Sequence, residues 1–524
     1  MFATNNDLSR LFDKRGNLIC GNLELLKTVK IDSIHSYIND QANERKIVSL
    51  HKPEHSYPNK EKPFLAIHGG LGNPEASVIR LYSESLKALQ TKYNLVAIDP
   101  YASTNPQERK ARINEIKEKL GIEYAKTFSP QEYFETLKNT EKKPAGVFIL
   151  TPVAYHTSTI KNYEEQLAKN NENMLFVVEK PSCSLGEINN INSNDFHDLQ
   201  QEGFFDFIDR LSRQNNSFYL VDSAMVSHSL NYLLENNLLD NLGKITKINA
   251  IGLDMPASFT EENQDLNQFL FQNKIPEINE RSLLSLKTSG GAGLGFDMGI
   301  HALAGLSRLL DSQGYDLSEA KIKKDKVKLE AIDENTVKNR DAAAETYVSA
   351  QAKLGDIEIY FEGGKGAEIW DRRLEIFTEN AIVILGLGTL KHKNYIMIIP
   401  KDSKEKAQII NFESADSGYQ IHMQDIYNLL EKKDSNNSNQ KNNQNSNRKQ
   451  ELSPKKSVKI MKSAMDFISK VFFAHGKSIS GRESNIKKVS QMYSNQNLTD
   501  EEKSIRALLE KLKGFNGIFR KNLI

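Results

Sequence analysis

Residues 147–156 read VFILTPVAYH, and residues 176–181 read FVVEKP. Each stretch is a short apolar run that stops at a polar turn. A run of four or five apolar residues without polar alternation fits a strand buried on both faces, as in a parallel sheet covered by helices. In the first stretch Val147–Leu150 runs into Thr151-Pro152, with His156 shortly after. In the second, Phe176–Val178 runs into Glu179-Lys180-Pro181. Strands that end this way deliver polar residues to the carboxyl edge of a sheet, where ligands bind in open α/β folds.

Working outward, Phe64–Ile67 is a strand that enters HGGLGNPEAS, residues 68–77. Val78, Tyr82, Leu86 and Leu89 follow at helical spacing. Asn94–Ile98 is a second strand, ending at Asp99, and a helix is expected over 105–120. Strands alternating with helices imply βαβ units and a parallel sheet, here over residues 64–182. Gly69, Gly70 and Gly72 allow a pyrophosphate to approach the backbone, and Asn73 followed by Pro74 reads as an N-cap and first helical position. G-x-G-x-x-G is matched by Gly70 and Gly72 only if Glu75 stands in for the third glycine. The turn therefore reads as a phosphate cradle or as an ordinary strand-to-helix turn. Asp99 reads either as an acceptor for a ribose 2′-hydroxyl, favouring NAD over NADP, or as a turn-forming Asp before Pro100.

Residues 290–301 read GGAGLGFDMGIH. Asp297 and His301 are four apart and share one face of a helix start, where a carboxylate can orient an imidazole for acid–base work. Glycines permit close backbone approach to a ligand. A lone His on such an apolar helix would read as a hydrogen-bonded core residue.

TPVAYH, VVEKPS and D-x-G-x-H, in this order, resemble the Gfo/Idh/MocA oxidoreductases, the family of glucose-fructose oxidoreductase and inositol 2-dehydrogenase. The resemblance runs from about Phe64 to Tyr427. It implies an α/β Rossmann domain followed by an α+β substrate domain with a large, mostly antiparallel open sheet. It implies hydride transfer between NAD, with NADP as the alternative, and a secondary carbinol of a sugar, cyclitol or related polyol. Lys180 would hold the substrate hydroxyl, His301 would exchange its proton, and Asp297 would orient His301 or bind a neighbouring hydroxyl. Gly69, Gly70, Gly72, Asn73, Asp99, Thr151, Pro152, His156, Glu179 and Lys180 would line the cofactor site. Pairing of the open sheet faces would give a homo-oligomer. VDSAMVSH, after Leu220, lacks the Arg often present there in the family. Two rival readings remain: a glucose-6-phosphate dehydrogenase-like enzyme, which also carries EKP, and a non-catalytic dinucleotide-binding regulatory protein.

Composition narrows the field. The 524 residues carry 69 Lys and Arg against 68 Asp and Glu, a net charge of +1, which argues against a nucleic-acid partner. Two distant cysteines, Cys20 and Cys183, build neither a disulfide framework nor a metal site. A reducing compartment follows, and the polar N-terminus MFATNNDLSRLFDKRG has no secretory apolar core, so we expect a cytoplasmic protein without membrane spans. HGKS at 475–478 lacks the first glycine of a P-loop.

Residues 1–63 read as an N-terminal extension. The substrate domain is expected over 183–433, with strands at Thr246–Leu253, Thr346–Leu354, Ile357–Glu362, Leu374–Thr378, Ala381–Leu385 and Tyr395–Ile399. Residues 434–456 are Asn-, Gln-, Ser- and Lys-rich and read as a disordered linker. C-terminal helices fill 457–524, the 458–475 helix packing on the catalytic domain and the last opening on a Thr499–Glu502 capping box.

Overall fold

Short apolar runs become the strands of a parallel sheet in the computed structural model. It describes residues 18–19, 62–75, 77–103, 105–138, 143–169, 174–188, 203–214, 216–254, 294–330, 347–365, 371–388, 393–402, 406–412, 418–436 and 452–474. The strands are β1 (Phe64–His68), β2 (Asn94–Ile98), β3 (Tyr124–Phe128), β4 (Gly146–Ile149), β5 (Leu175–Val178) and β6 (Ser217–Leu220). Their spatial order is β3-β2-β1-β4-β5-β6, and every pairing is parallel. The chain moves outward from β1 to β3, then returns to the other side of β1 at β4. That reversal opens a crevice at the carboxyl ends of β1 and β4.

The sheet takes in β6, which lies beyond residue 182, where the sequence reading closes the Rossmann domain. Neither β3 nor β6 is evident in the sequence. YAKTF of β3 is a half-exposed edge strand, and SFYL of β6 is only four residues long. The first connection also differs from expectation: a 3₁₀ turn, Val78–Tyr82, precedes α1 (Ser83–Leu89), so Asn73 and Pro74 do not open a helix. By contrast α2 (Pro106–Leu120) starts as its sequence dictates. The Asn105 side chain accepts from Gln107 N and Glu108 N, and Pro106 takes the first turn. Helices α3 (Pro130–Lys138), α4 (His156–Lys169), α5 (Phe204–Ser212) and α6 (His228–Glu235) complete the connections up to the second sheet.

That second sheet is ten-stranded. It contains β7 (Ile245–Asp254), then, after helix α7 (Leu294–Ser312), β8 (Lys321–Ile322), β9 (Lys328–Glu330), β10 (Tyr347–Leu354), β11 (Ile357–Lys365), β12 (Asp371–Thr378), β13 (Ala381–Gly386), β14 (Tyr395–Pro400) and β15 (Lys406–Asn411). The order is β15-β14-β13-β12-β7-β11-β10-β9, with Leu18–Ile19 added beside β15 and β8 beside β10. Only β7 and β11 run parallel; the other pairs are antiparallel.

Helix α7 lies on this sheet with almost no space between backbones. A Cβ on Gly363 of β11 would fall 2.5 Å from Gly299 Cα, and one on Gly252 of β7 would fall 2.7 Å from Met298 O. On the opposite face of the sheet Ile251, Leu253, Ile384 and Met397 are each at most 1% exposed.

Two more helices follow, α8 (Tyr419–Asn436) and α9 (Pro454–Ala474). Both begin or end inside the segment read as a linker, so helix occupies residues 434–436 and 454–456. The expected 458–475 helix packs on both sheets rather than on the second alone. The Ser457 hydroxyl accepts from Leu220 N of β6 at 3.1 Å, and the Phe467 ring meets Phe361 of β11 edge-on at 6.1 Å. Gly290, Gly291 and Gly293, the Thr499–Glu502 box and all but a few residues of the N-terminal extension lie outside the described residues.

We predict that Gly363→Ala destabilises the chain by about 1–3 kcal/mol in urea unfolding, because the helix backbone must move. Gly314→Ala serves as control: its φ is 80° but nothing lies within 4 Å of the added methyl, so backbone strain alone costs about 1 kcal/mol. Equal costs would show that the close approach of α7 is not limiting.

Candidate functional site

The crevice begins at the glycine turn. Gly69 has a φ of 81°, and a Cβ there would come 2.8 Å from Leu150 O at the end of β4. The Tyr124 hydroxyl packs beneath Gly70 and donates to its carbonyl at 2.6 Å. Asp99 is 1% exposed; its Oδ2 accepts from Leu71 N at 3.2 Å and its Oδ1 from Tyr101 N at 2.9 Å. Both oxygens thus brace the glycine turn and the loop after β2. Asn73 shapes the end of the turn, its side chain accepting from Glu75 N at 2.8 Å. Glu75 forms an ion pair with Lys119 of α2, which offsets a negative charge beside the turn. Arg112 of α2 lies over the Tyr101 ring, 4.9 Å from its centroid.

Thr151 and Pro152 stand across the crevice, next to Gly69. Pro152 precedes a short 3₁₀ turn, Val153–Tyr155, that leads into α4. The Thr151 hydroxyl is buried and has no partner among the described residues. His156 is turned inward: its Nε2 lies 2.7 Å from Thr151 O and its Nδ1 3.2 Å from Ser182 O. It ties the loop after β4 to the loop after β5, and burial lowers its pKa.

Lys180 reaches out of the β5 end to α7. Its Nζ lies 2.9 Å from Asp297 Oδ1 and 3.2 Å from Asp297 O, with both side chains about nine-tenths buried. Asp297 therefore binds Lys180, not His301 as their four-residue spacing suggests. His301 finds a different carboxylate. Its Nδ1 is 3.1 Å from each oxygen of Asp222, at the end of β6. A carboxylate accepts, so the proton sits on Nδ1 and leaves the Nε2 lone pair open. Burial first, then the nearby Arg372 and Lys180 cations, hold the His301 pKa well below the usual imidazole range, so the ring is neutral.

Two buried carboxyls flank these groups. Burial pushes Asp222 up to about 6, against the opposing effect of the Ala224 amide and the Lys180 and Arg372 charges. Burial pushes Glu179 up to about 7, although it accepts hydrogen bonds from Tyr82 and Tyr419. On the far side of Asp222, His422 of α8 meets its backbone carbonyl at 2.6 Å.

Lys180, from the end of β5, and Asp297 and His301, from α7, are thus brought to one place. The glycine turn, Asp99, Thr151, Pro152 and His156 lie on the neighbouring strand ends of the same crevice. Sequence reasoning missed Asp222, Arg372, Tyr82, Tyr419 and His422. One signal was present: YLVD at 219–222 ends an apolar strand in Asp, as VAID does at 96–99.

No protein-family profile matches the chain, and no curated protein matches it. Solved structures do. The inositol dehydrogenase homolog from Azotobacter vinelandii, determined with NAD+, superposes with a TM-score of 0.52 at 13% identity, covering 79% of this chain and 96% of that one. KijD10, a 3-ketoreductase from Actinomadura kijaniata determined with NADP and TDP-benzene, gives 0.48 at 11% identity, covering 76% and 95%. The transcriptional regulator Gal80p from Kluyveromyces lactis gives 0.49 at 12% identity, covering 80% and 95%. The chain has the two-domain fold of the Gfo/Idh/MocA-type oxidoreductases. Among the described residues no helix is long and apolar enough to cross a membrane.

Glu179 supplies a pH-dependent stability effect. Its folded pKa of about 7 exceeds the ordinary glutamate value of 4.5, so the folded state binds more protons between those values and loses stability as pH rises through that window. Glu179→Gln removes the ionisation. We predict that its melting temperature, relative to the unmodified chain, rises as pH goes from 5 to 8; a pH-independent difference would show that Glu179 is not perturbed.

Proposed function

We propose that this chain is an NAD(P)-dependent oxidoreductase that moves a hydride between nicotinamide and a secondary carbinol of a sugar, cyclitol or related polyol. The observation that carries the reading is the pair of held groups beside the crevice. Lys180 is fixed by Asp297, and neutral His301 is fixed by Asp222 with one ring nitrogen free.

A bound dinucleotide supplies the hydride acceptor or donor. The residues present fit such a group. The Gly69–Gly72 turn offers backbone close to the crevice, and the orphaned Thr151 hydroxyl faces no other described partner. The turn, Thr151 and the loop after β2 would hold the cofactor. Lys180 would bind the substrate oxygen and stabilise negative charge as it develops there. His301 would take the hydroxyl proton at Nε2 in oxidation and return it in reduction. Asp222 would orient the ring and stabilise the imidazolium that forms, as a carboxylate does behind a catalytic histidine.

A second reading, a non-catalytic dinucleotide-binding protein, is favoured by one observation. The first helix begins at Val78 or later, so its N-terminus is not at the glycine turn and its free N–H groups do not add to the cradle.

Titration with NADH and NADPH, followed by turnover on aldoses and inositols, decides between them. Binding without turnover on any secondary alcohol would favour the second reading. For the enzyme, Lys180→Met and His301→Asn should each lower kcat by about 10²–10⁴. Dinucleotide affinity should stay within about threefold, and the double variant should be little worse than either single one. Turnover should also fall as pH drops through about 6, because protonated Asp222 no longer accepts from His301. Full turnover by His301→Asn would remove the proton-transfer role.

A further inference from the structure

Helix α8 meets the two strand ends that carry Glu179–Lys180 and Asp222. Tyr419 and His422 are three residues apart and share one face of it. Tyr419 donates to Glu179 Oε1 at 3.0 Å, and Glu179 is the residue before Lys180. His422 Nε2 lies 2.6 Å from Asp222 O. The same nitrogen lies 3.2 Å from Asp222 N, so it meets both backbone polar groups of Asp222. The opposite ring nitrogen meets the Tyr219 hydroxyl at 2.9 Å, and that hydroxyl donates to Asp425 Oδ2 at 3.0 Å, one residue short of a full turn further along α8. Asp425 thus braces His422 through Tyr219 of β6. The start of the helix has no slack either. Gly418 has a φ of 88°, and any Cβ there would collide with Ser223 O, in the turn that follows Asp222.

We propose that α8 is the positioning element of the site: Tyr419 sets Glu179 and the backbone that carries Lys180, and His422 sets Asp222 and so the His301 ring. One helix face thereby fixes the spacing between Glu179 and Asp222, which follow different strands. Both residues act through another residue and are positioning residues. The inference rests on the hydride-transfer reading for its kinetic arm only.

The test compares Tyr419→Phe, His422→Leu and His422→Gln, which keeps a hydrogen-bonding side chain, with Glu431→Gln. Glu431 also lies on α8, but it pairs with Lys92 at 2.6 Å, away from the site. Tyr419→Phe and His422→Leu should lower kcat on the order of ten- to a hundredfold, as small misplacements of reacting groups do. KM and dinucleotide affinity should stay within about threefold. His422→Gln should recover most of the loss, and Glu431→Gln should leave kcat unchanged. The second arm needs no turnover: ¹⁵N spectra of the histidine-labelled chain, with the His301 signals assigned by His301→Asn. His422→Leu should shift the His301 ring resonances; Glu431→Gln should not. Equal loss of kcat in Glu431→Gln and Tyr419→Phe would mean that α8 acts by general docking, and would overturn the proposal. Unmoved His301 resonances in His422→Leu would overturn it as well. If the unmodified chain binds dinucleotide but oxidises no polyol, the hydride-transfer reading fails, while a selective His301 shift still supports the positioning role.

Discussion

The contact between α7 and the large sheet is the constraint on which the site depends. Gly252, Gly299 and Gly363 leave no room for a side chain between helix and strands, so the α7 backbone rests on β7 and β11. Interiors pack to crystal-like density and do not deform smoothly. The first turn of α7 therefore has one height above the sheet and one rotation. That rotation turns Asp297 toward the end of β5 and His301 toward the end of β6. A helix one methyl group further out would carry both side chains away from strand ends that cannot follow, because they are held in the parallel sheet by their own ladder.

Much of this was legible in the sequence, and the reason is periodicity. VFIL and FVV mark buried parallel strands, and the D-x-G-x-H spacing marks a helix start. Asp222 was not legible as the partner of His301. Nothing local links them; they are 79 residues apart and meet only because β6 joins the sheet next to β5. The i,i+4 spacing pointed instead to Asp297, a pairing that is sterically open on any helix. Tertiary packing overrode it, because Lys180 offers Asp297 a full charge while Asp222 lies at the imidazole edge. His422 was harder still, being 200 residues from the backbone it holds. The glycine turn was legible as a turn but not as to its bracing, since Asp99 closes back on Leu71 only once β1 and β2 are aligned.

Two carboxyls at neighbouring strand ends, both buried, would repel each other and lose hydration. The chain handles them differently. Glu179 receives two phenol hydroxyls, from Tyr82 and Tyr419. Phenols stay protonated far above neutral pH when buried, so these donors persist across the working range. Asp222 receives a backbone N–H from Ala224 and the His301 ring. The cations Lys180 and Arg372 lower the Asp222 pKa, and of these Lys180 is among the influences that lower that of Glu179. Burial still wins in both cases. Desolvation of a carboxylate outweighs a few hydrogen bonds when the nearest cation is already committed to another partner, as Lys180 is to Asp297.

That commitment explains why the site uses two pairs rather than one triad. Suppose Asp297 served His301. Lys180, with about a tenth of its side chain exposed, would then sit in the crevice without its bonded anion. An unpaired buried ammonium is costly and tends to shed its proton. A neutral amine would stabilise negative charge on a substrate oxygen far less well than an ammonium. His301, meanwhile, needs only an acceptor for its Nδ1 proton, and a carboxyl that is partly protonated near neutral pH provides one without pulling the ring into its charged form. The slightly exposed carboxylate goes to the lysine and the fully buried one to the histidine. Each of the two carboxyls thereby holds one group of the proposed site in place.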